Sequence, residues 1–437
     1  MTDKGPHHMG DRPEGRRSSR PRIALLTHTF PEQTGEFAFL APEISRLANA
    51  FDVVLIPSQV ARTNLWPLPP GVSLQSGLSE YRTRWSVRLA SLFRALGFPS
   101  TYREMLAFGW RGLSPRVAAT VVARASRIMR ARQWFRRYLS RTDVDAVYSW
   151  WADGFGYGMA WAASDLGIHS VARAHGYEVF DEQDRLGRIP FQQKTISSFD
   201  LVFPVSQAGA SILSHKFPTS AERIHVRYLG VEPAPGDGLR SADGVFRILS
   251  CSSCIEVKRV ELLASGILEL AREHPQLRFQ WTHIGDGPTL QFVRDLMHSS
   301  RVVYERCYFP GALPPLMVRE WMAERPYDVF VNVSSSEGLP VTLMEAASSG
   351  IPLVATDVGG NSEIVQDQVG YLLPPDPTPR QLADVLSELS LLHPEDVQTM
   401  SLSAKQVWAN QFSADSNYER FIHDLRSVSD SVPNPPR

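Results

Sequence analysis

Residues 328–356 commit this chain to a layered α/β fold. Asp328-Val-Phe-Val-Asn-Val333 is apolar and β-branched, as suits a strand covered on both faces. Ser334 to Gly338 carries turn residues, and Pro340 suits the first turn of a helix. Thr342 to Ser349 reads as a short helix stopped by Gly350, and Ile351 to Thr356 as the next strand. Such a βαβ unit sets the helix N-terminus at the carboxyl edge of a parallel sheet. Free amides and the positive end of the helix dipole face a ligand there. A diphosphate fits that position, and acids beside it suit hydroxyl groups. Two acids, Glu337 and Glu345, flank the helix start. Thr342 and Glu345 by themselves also make a Thr-x-x-Glu capping box, which requires no ligand. The box leaves Glu337 unexplained, and also Val358-Gly359-Gly360-Asn-Ser-Glu363, where a third acid follows a Gly-Gly turn after another strand. Loops converging on one crevice account for all three acids.

The length of 437 residues exceeds what one compact core holds and suits two domains. The opening strand Arg22-Ile-Ala-Leu-Leu-Thr-His28, the loop Thr29 to Glu36, a helix from Ala38 to Asn49 and a strand from Phe51 to Pro57 make a second βαβ unit. The expectation is an α/β chain of two Rossmann-like, doubly wound domains facing a cleft. Residues 1–20 are expected to be a disordered leader and 21–235 the N-terminal domain. The Pro/Gly-rich stretch 236–244 reads as a linker, 245–410 as the C-terminal domain. Residues 411–428 are expected to form a helix crossing back, and 429–437 a loose tail. No apolar run reaches the roughly 18 to 20 residues of a spanning helix, and the N-terminus lacks a signal-peptide core. The expected location is therefore cytoplasmic. Cys251-Ser-Ser-Cys254 has no second pair and lies in a strand, so two small core residues are the expectation.

The net charge of −1 conceals a strong asymmetry. Residues 82–141 hold fourteen arginines and one acid, Glu104. Trp85, Leu89, Leu92, Phe93 and Leu96 recur there at helical spacing, as do Val121, Ala125, Ile128, Phe135 and Leu139, with Arg132 interrupting the second set. A basic amphipathic insert suits an anionic membrane surface, on its inner face, each nearby cation contributing on the order of 1 kcal/mol. The alternative is a solvated helical surface. No nucleic-acid module accompanies the charge, so nucleic acid is not an expected partner.

The segment 334–365, SSSEGLPVTLMEAASSGIPLVATDVGGNSEIV, resembles the signature of retaining, nucleotide-sugar-dependent glycosyltransferases of the GT-B fold, family 4. The likeness continues in pieces over residues 22–425. It implies that Glu345 holds ribose hydroxyls and Glu337 hydroxyls of the transferred sugar, with amides of Gly338 and Leu339 nearby. Lys258 and the helix start at Val341 and Thr342 would take the diphosphate charge. The family's phosphate-binding arginine is replaced by Ser253, so that charge comes from Arg259 or from elsewhere. Gly285-Asp-Gly287 and Phe309-Pro310-Gly311 are similar to segments lining the base pocket, and Glu363 is grouped with the donor side. Arg173-Ala-His175-Gly-Tyr177 resembles the segment whose histidine contacts the donor sugar; Arg173 and Tyr177 are acceptor-side candidates. Gly35 lies in a loop that resembles the family's segment between first strand and first helix, which implies that it faces the cleft. Glu36 beside it either touches the acceptor or starts the helix with a favourable charge.

The resemblance thus implies transfer of a sugar from a nucleotide-diphosphate donor to a glycan or lipid-linked glycan. Retention at the anomeric carbon is expected, in cell-surface polysaccharide biosynthesis. No cofactor beyond the nucleotide sugar is expected, and no metal, since no Asp-x-Asp segment stands where a metal–diphosphate bridge needs one. The rivals are a nucleotide-sugar 2-epimerase on the same fold and a non-catalytic nucleotide-sugar or glycan-binding protein.

Overall fold

A computed structural model describes residues 20–431 except 34, 60–64, 237, 239–240 and 367. The leader expected at 1–20 lies outside the described residues up to 19, as do 432–437 of the expected tail. Strands β1 (Arg22–Thr27), β2 (Asp52–Pro57), β3 (Val72–Leu74), β4 (Ala146–Ser149), β5 (His169–Ala174) and β6 (Leu201–Pro204) pair in the order β3-β2-β1-β4-β5-β6. A second sheet joins β7 (Phe246–Cys251), β8 (Phe279–Ile284), β9 (Cys307–Gly311), β10 (Val329–Asn332), β11 (Leu353–Thr356) and β12 (Gly370–Leu373) in the order β12-β11-β10-β7-β8-β9. Every pairing is parallel.

The strand sequences explain why both sheets are covered on two faces. Along β1, Ile23 and Leu25 feed one buried cluster, while Ala24 and Leu26 feed another across the sheet. Along β10, Phe330 enters the first of these clusters, and Val329 and Val331 enter a third. An apolar run with no polar alternation needs cover on both faces, which the crossover helices supply. In each sheet the chain runs outward from a central pair, β1 with β4 and β7 with β10. The loops leaving those pairs diverge and open a crevice at the carboxyl edge. Two such crevices are what the rest of the molecule brings face to face.

The arginine-rich insert folds as helices Gly77–Thr83, Trp85–Leu96, Pro99–Leu106 and Pro115–Leu139, with a short turn at Gly109–Leu113. Its two apolar stripes have different fates. Val121, Ala125, Ile128, Phe135 and Leu139 are buried, and Arg132 in their midst stacks 3.7 Å from the Trp161 ring centre and pairs with Asp165 at 2.7 Å. Helix Trp85–Leu96 buries only Ser91 and Ala95, the Ser91 hydroxyl meeting Ser126 at 2.9 Å. Trp85, Leu89, Leu92, Phe93 and Leu96 therefore face outward, joined by Leu106, Trp110 and Leu113. Trp110 and Leu113 are 84% and 86% exposed, which no packing requirement explains.

The chain finally returns to the first domain. Val231 pairs with Ser413, and helix Ala414–Ser429 follows. Its Tyr418 donates to the Gly230 carbonyl at 3.0 Å, and its Asp424 receives Arg227 at 2.5 Å.

Candidate active site

At the C-domain crevice, two loops place a cation on an acid. The single turn Glu256–Lys258 after β7 sends Lys258 over the sheet edge, where its Nζ donates to Glu337 Oε1 at 2.6 Å. The same oxygen accepts from Ser334 Oγ at 2.7 Å and Asn332 Nδ2 at 3.1 Å. Burial alone would raise the Glu337 pKa; the Lys258 charge and these hydrogen bonds outweigh it and hold the carboxyl below its ordinary value. Helix Val341–Ser348 starts one residue earlier than its sequence suggests, with Pro340 as its N-cap and no side chain capping it. The Thr342–Glu345 capping box consequently does not form. Glu345 lies buried one turn in, and no hydrogen bond reaches its carboxylate among the described residues. Burial pushes its pKa up to about 7, with the Arg319 charge pulling weakly the other way.

The N-domain crevice presents an aromatic wall and a different set of acids. Glu36 folds back onto the loop after β1, where its carboxylate accepts from the amides of His28 (2.9 Å), Thr29 (2.6 Å) and Phe30 (2.9 Å) and from the Trp151 indole. That acid shapes the loop: it gives the helix no side-chain cap, and its oxygens are taken up internally. His28 bonds Asp153 at 3.1 Å, and the other oxygen of Asp153 caps helix Gly154–Ser164 through the amides of Phe155 and Gly156. Burial works against a protonated His28, but the Asp153 hydrogen bond and three acidic charges more than offset it, so its pKa is raised. His175 packs against Trp151 and Trp150, ring centres 4.3 and 5.2 Å away. Burial and the Arg173 charge lower its pKa to about 3, leaving a neutral imidazole. Nδ1 stands 3.6 Å from Glu178 Oε1, beyond hydrogen-bond reach, and neither ring nitrogen has a hydrogen-bond partner among the described residues, an arrangement a purely structural histidine avoids. A cavity of about 350 Å³ opens beside it, lined by His28, Trp151, Asp153, Tyr177 and Glu178, with Arg127 on its wall. Burial, then the Asp153 charge, raises Glu178 to about 8.

The two crevices meet. A Cβ added to Gly338 would stand 2.8 Å from the Gly176 amide, and one on Gly176 3.2 Å from the Gly338 amide, so these loops touch backbone to backbone. Only glycine on both sides permits that approach. Gln183 Nε2 donates to Ser336 Oγ at 2.8 Å across the same seam.

Three expectations need correction. Arg173 is fully buried, bound to Glu43 at 2.8 Å and to the Tyr148 hydroxyl at 3.0 Å, so it supports the β5 end from beneath and does not face an acceptor. Arg259 does not replace the arginine missing at Ser253. It holds a φ of +48° and spends its guanidinium on the carbonyls of Val333, Ser334 and Pro375 at 2.7, 3.0 and 2.8 Å. Glu363 does not line the donor side; its carboxylate takes the first amides of helix Gln207–Lys216, from Gln207 at 2.8 Å and Ala208 at 3.0 Å, together with the Tyr228 hydroxyl at 2.9 Å. A C-domain acid thus caps an N-domain helix.

Gly285 and Gly287 run against the carbonyls of Ser252 and Cys254, too close for any side chain, and Gly285 N bonds Gly311 O at 3.0 Å beside Pro310. Gly338 lies at the seam, Leu339 and Val341 are buried beyond it in sequence, Tyr177 is 40% exposed at the cavity, and Gly35 precedes Glu36 in the β1 loop. Cys254 is buried against His283 Nε2 at 3.2 Å, and burial pushes its thiol up to about 11. Sequence reasoning missed His28, Trp151, Asp153 and Glu178. A signal for them existed: Trp150-Trp151-Ala-Asp153 follows directly on a central strand.

Comparison with known proteins agrees with this architecture. Residues 87–234 match the family model "Glycosyltransferase Family 4", and residues 246–391 match "Glycosyl transferases group 1". A phosphatidylinositol N-acetylglucosaminyltransferase subunit of Arabidopsis thaliana is 31% identical over 36% of this chain and 35% of its own. The putative colanic acid biosynthesis glycosyltransferase WcaL of Escherichia coli is 25% identical over 55% of this chain and 59% of its own. The chain therefore spans between about a third and three fifths of these two relatives. Among solved structures, sucrose-phosphate synthase from Thermosynechococcus elongatus superposes with a TM-score of 0.67 at 13% identity, covering 94% of this chain and 99% of its own. Anabaena HepE in complex with UDP and glucose superposes with a TM-score of 0.61 at 16% identity, covering 93% of this chain and 99% of its own. With both family models matched in chain order and two parallel sheets in the same architecture, the chain belongs to the family 4 glycosyltransferases of the GT-B fold.

Proposed function

We propose that this protein transfers a sugar from a nucleotide-diphosphate donor to a hydroxyl of a glycan or lipid-linked glycan, with retention, in cell-surface polysaccharide biosynthesis. One observation carries the reading: the Lys258–Glu337 pair and an uncapped helix start stand at one crevice, and the His175 imidazole, with no hydrogen bond to its ring among the described residues, stands at the other, across a backbone-to-backbone seam. Lys258 and the amides of Val341 and Thr342 receive the diphosphate, whose charge grows as the bond to the anomeric carbon breaks. Once phosphate engages Lys258, the Glu337 carboxylate is free to accept hydrogen bonds from hydroxyls of the transferred sugar. Glu345, with no internal partner, takes the ribose hydroxyls. His175, being neutral, both donates and accepts hydrogen bonds with the sugar without opposing an oxocarbenium-like charge.

The acceptor oxygen forms its bond to the anomeric carbon on the face the phosphate leaves, and the departing phosphate takes the proton. No metal or further cofactor is assigned a step. The acceptor enters from the cavity beside His28 and Asp153, near Tyr177. The exposed apolar side chains of the insert, ringed by arginines, suit an anionic membrane surface, and no described helix is long and apolar enough to cross a membrane. The location proposed is the cytoplasmic face.

The test is nucleotide-diphosphate release with and without acceptor glycan, followed by NMR assignment of the product anomer. Glu337→Gln and Lys258→Ala are each expected to lower kcat by about a hundredfold, the scale for losing one electrostatic contact in the transition state. An inverted product anomer, epimerised donor, or full activity in both variants contradicts the reading.

A further inference from the structure

A second concentration of charge reaches the N-domain cavity through Arg127, and the donor site makes no use of it. Arg82, Arg88, Arg127 and Arg130 approach one another from the end of helix Gly77–Thr83, from helix Trp85–Leu96 and from one stretch of helix Pro115–Leu139. The guanidinium carbons of Arg82 and Arg127 lie 5.4 and 5.6 Å from the same Phe155 ring centre, and Arg127 lines the cavity that holds His28 and Asp153. Arg82 gives one N–H to the Ser58 carbonyl at 2.7 Å. The Nε of Arg130 is buried with no hydrogen-bond partner among the described residues.

None of the four is paired with a carboxylate among the described residues. Neighbours on the same helix are: Arg124 pairs with Asp184, and Arg132 with Asp165. Asp153 feels the Arg127 charge across the cavity but forms no ion pair with it. Burial first, then the facing guanidiniums, lowers the pKa of both Arg82 and Arg130. Four like charges, two of them half-buried, destabilise a fold unless an anion shares them. Guanidinium groups bind phosphate oxygens through paired N–H donors, and more than one such group suits a diphosphate.

We propose that Arg82, Arg88, Arg127 and Arg130 form a phosphate-recognising cradle for the acceptor, which is an amphiphile carrying a phosphate or diphosphate beside its apolar part. The apolar part is assigned from position: Trp85, Leu89 and Phe93 are exposed on the helix that supplies Arg88. With the phosphate in the cradle, the hydroxyl-bearing end extends into the cavity toward His28 and His175. The assignment rests on the transferase reading for the word acceptor, while the anion site stands on its own.

Calorimetric titration with inorganic pyrophosphate, and then with geranyl diphosphate as an amphiphilic probe, tests it without any nucleotide sugar. Two classes of pyrophosphate site are expected. The double variant Arg88→Gln/Arg127→Gln, both exposed positions, weakens one class by at least about tenfold, the scale of one lost charge-assisted hydrogen bond. Lys258→Ala weakens the other class. Without ligand the double variant melts no lower than the parent, since relief of repulsion offsets any lost contact, and a structural role would lower it. Geranyl diphosphate binds the cradle more tightly than pyrophosphate. Unchanged pyrophosphate binding in the double variant overturns the proposal. So does a double variant that loses only its attachment to phosphatidylglycerol vesicles, because the cluster would then be reading bulk membrane charge. Should the cradle bind and no nucleotide sugar turn over, the transferase reading fails and the anion site remains.

Discussion

Glu337 and Glu345 stand at the same sheet edge with their acidities moved in opposite directions. Glu337 has Lys258, Ser334 and Asn332 around its oxygen and is held ionised; Glu345 has only burial and a distant arginine and is pushed up to about 7. The folded state therefore keeps a proton on Glu345 that the unfolded chain releases above its ordinary value of 4.5. Stability from this group is complete below that value and is lost as pH rises through about 7. Glu178, raised to about 8, adds a loss of the same sign at higher pH. Ribose hydroxyls donate to a carboxylate and favour its charged form, so donor binding at a pH of about 6 should release a proton. Calorimetry in buffers of different ionisation enthalpy should register that release in the parent and not in Glu345→Gln; equal release in both removes Glu345 from the ribose. The acid pair was legible in the sequence because the strand-to-helix turn places it. Its opposite protonation was not, because it depends on where Lys258 and Arg319 fall in three dimensions. Glu363 and Arg173 misled for a related reason: position in a motif does not say which neighbour takes the side chain.

At the scale of elements, periodicity located helices but not the face each one buries. The stripe Val121 to Leu139 reads like the stripe Trp85 to Leu96, yet the first is core and the second is open to solvent. The difference lies in what stands opposite: helix Gly154–Ser164 is small and close-packed against the long helix, and Gly158 lies within contact range of Ala131 and Ile128. The short helix buries only Ser91 and Ala95 against its surroundings, and its Arg94 reaches Gln133 of the long helix at 3.0 Å. An outward face holding Trp85, Phe93, Trp110 and Leu113 among arginines is expected to bind anionic vesicles. Replacing Trp110 and Leu113 by serine should reduce co-sedimentation with phosphatidylglycerol vesicles by about tenfold or more, from the apolar area removed, with little change in melting temperature. A loss of stability without a loss of vesicle binding would show that this face packs against the protein instead.

For the whole molecule, two sheets of one topology face each other, and contacts other than the Lys258–Glu337 pair join them. Glu363 caps helix Gln207–Lys216 across the boundary, Gln183 meets Ser336, and helix Ala414–Ser429 returns to the first domain through Tyr418 and Asp424. Two doubly wound α/β units could be read from length and repeated βαβ patterns, while the returning helix was expected from the family resemblance. The seam could not, because the approach of Gly176 to Gly338 involves residues more than 150 positions apart. The central claim is that a nucleotide-diphosphate sugar is gripped at that seam by residues of the C-domain crevice. A thermal-shift screen across UDP-, GDP-, ADP- and dTDP-linked sugars tests it most directly, since a ligand of the folded state raises its melting temperature by mass action. One donor class should raise the melting temperature of the parent by several degrees, and Lys258→Ala should lose most of that gain. A screen in which no nucleotide sugar shifts the parent, or in which the variant shifts equally, contradicts the account.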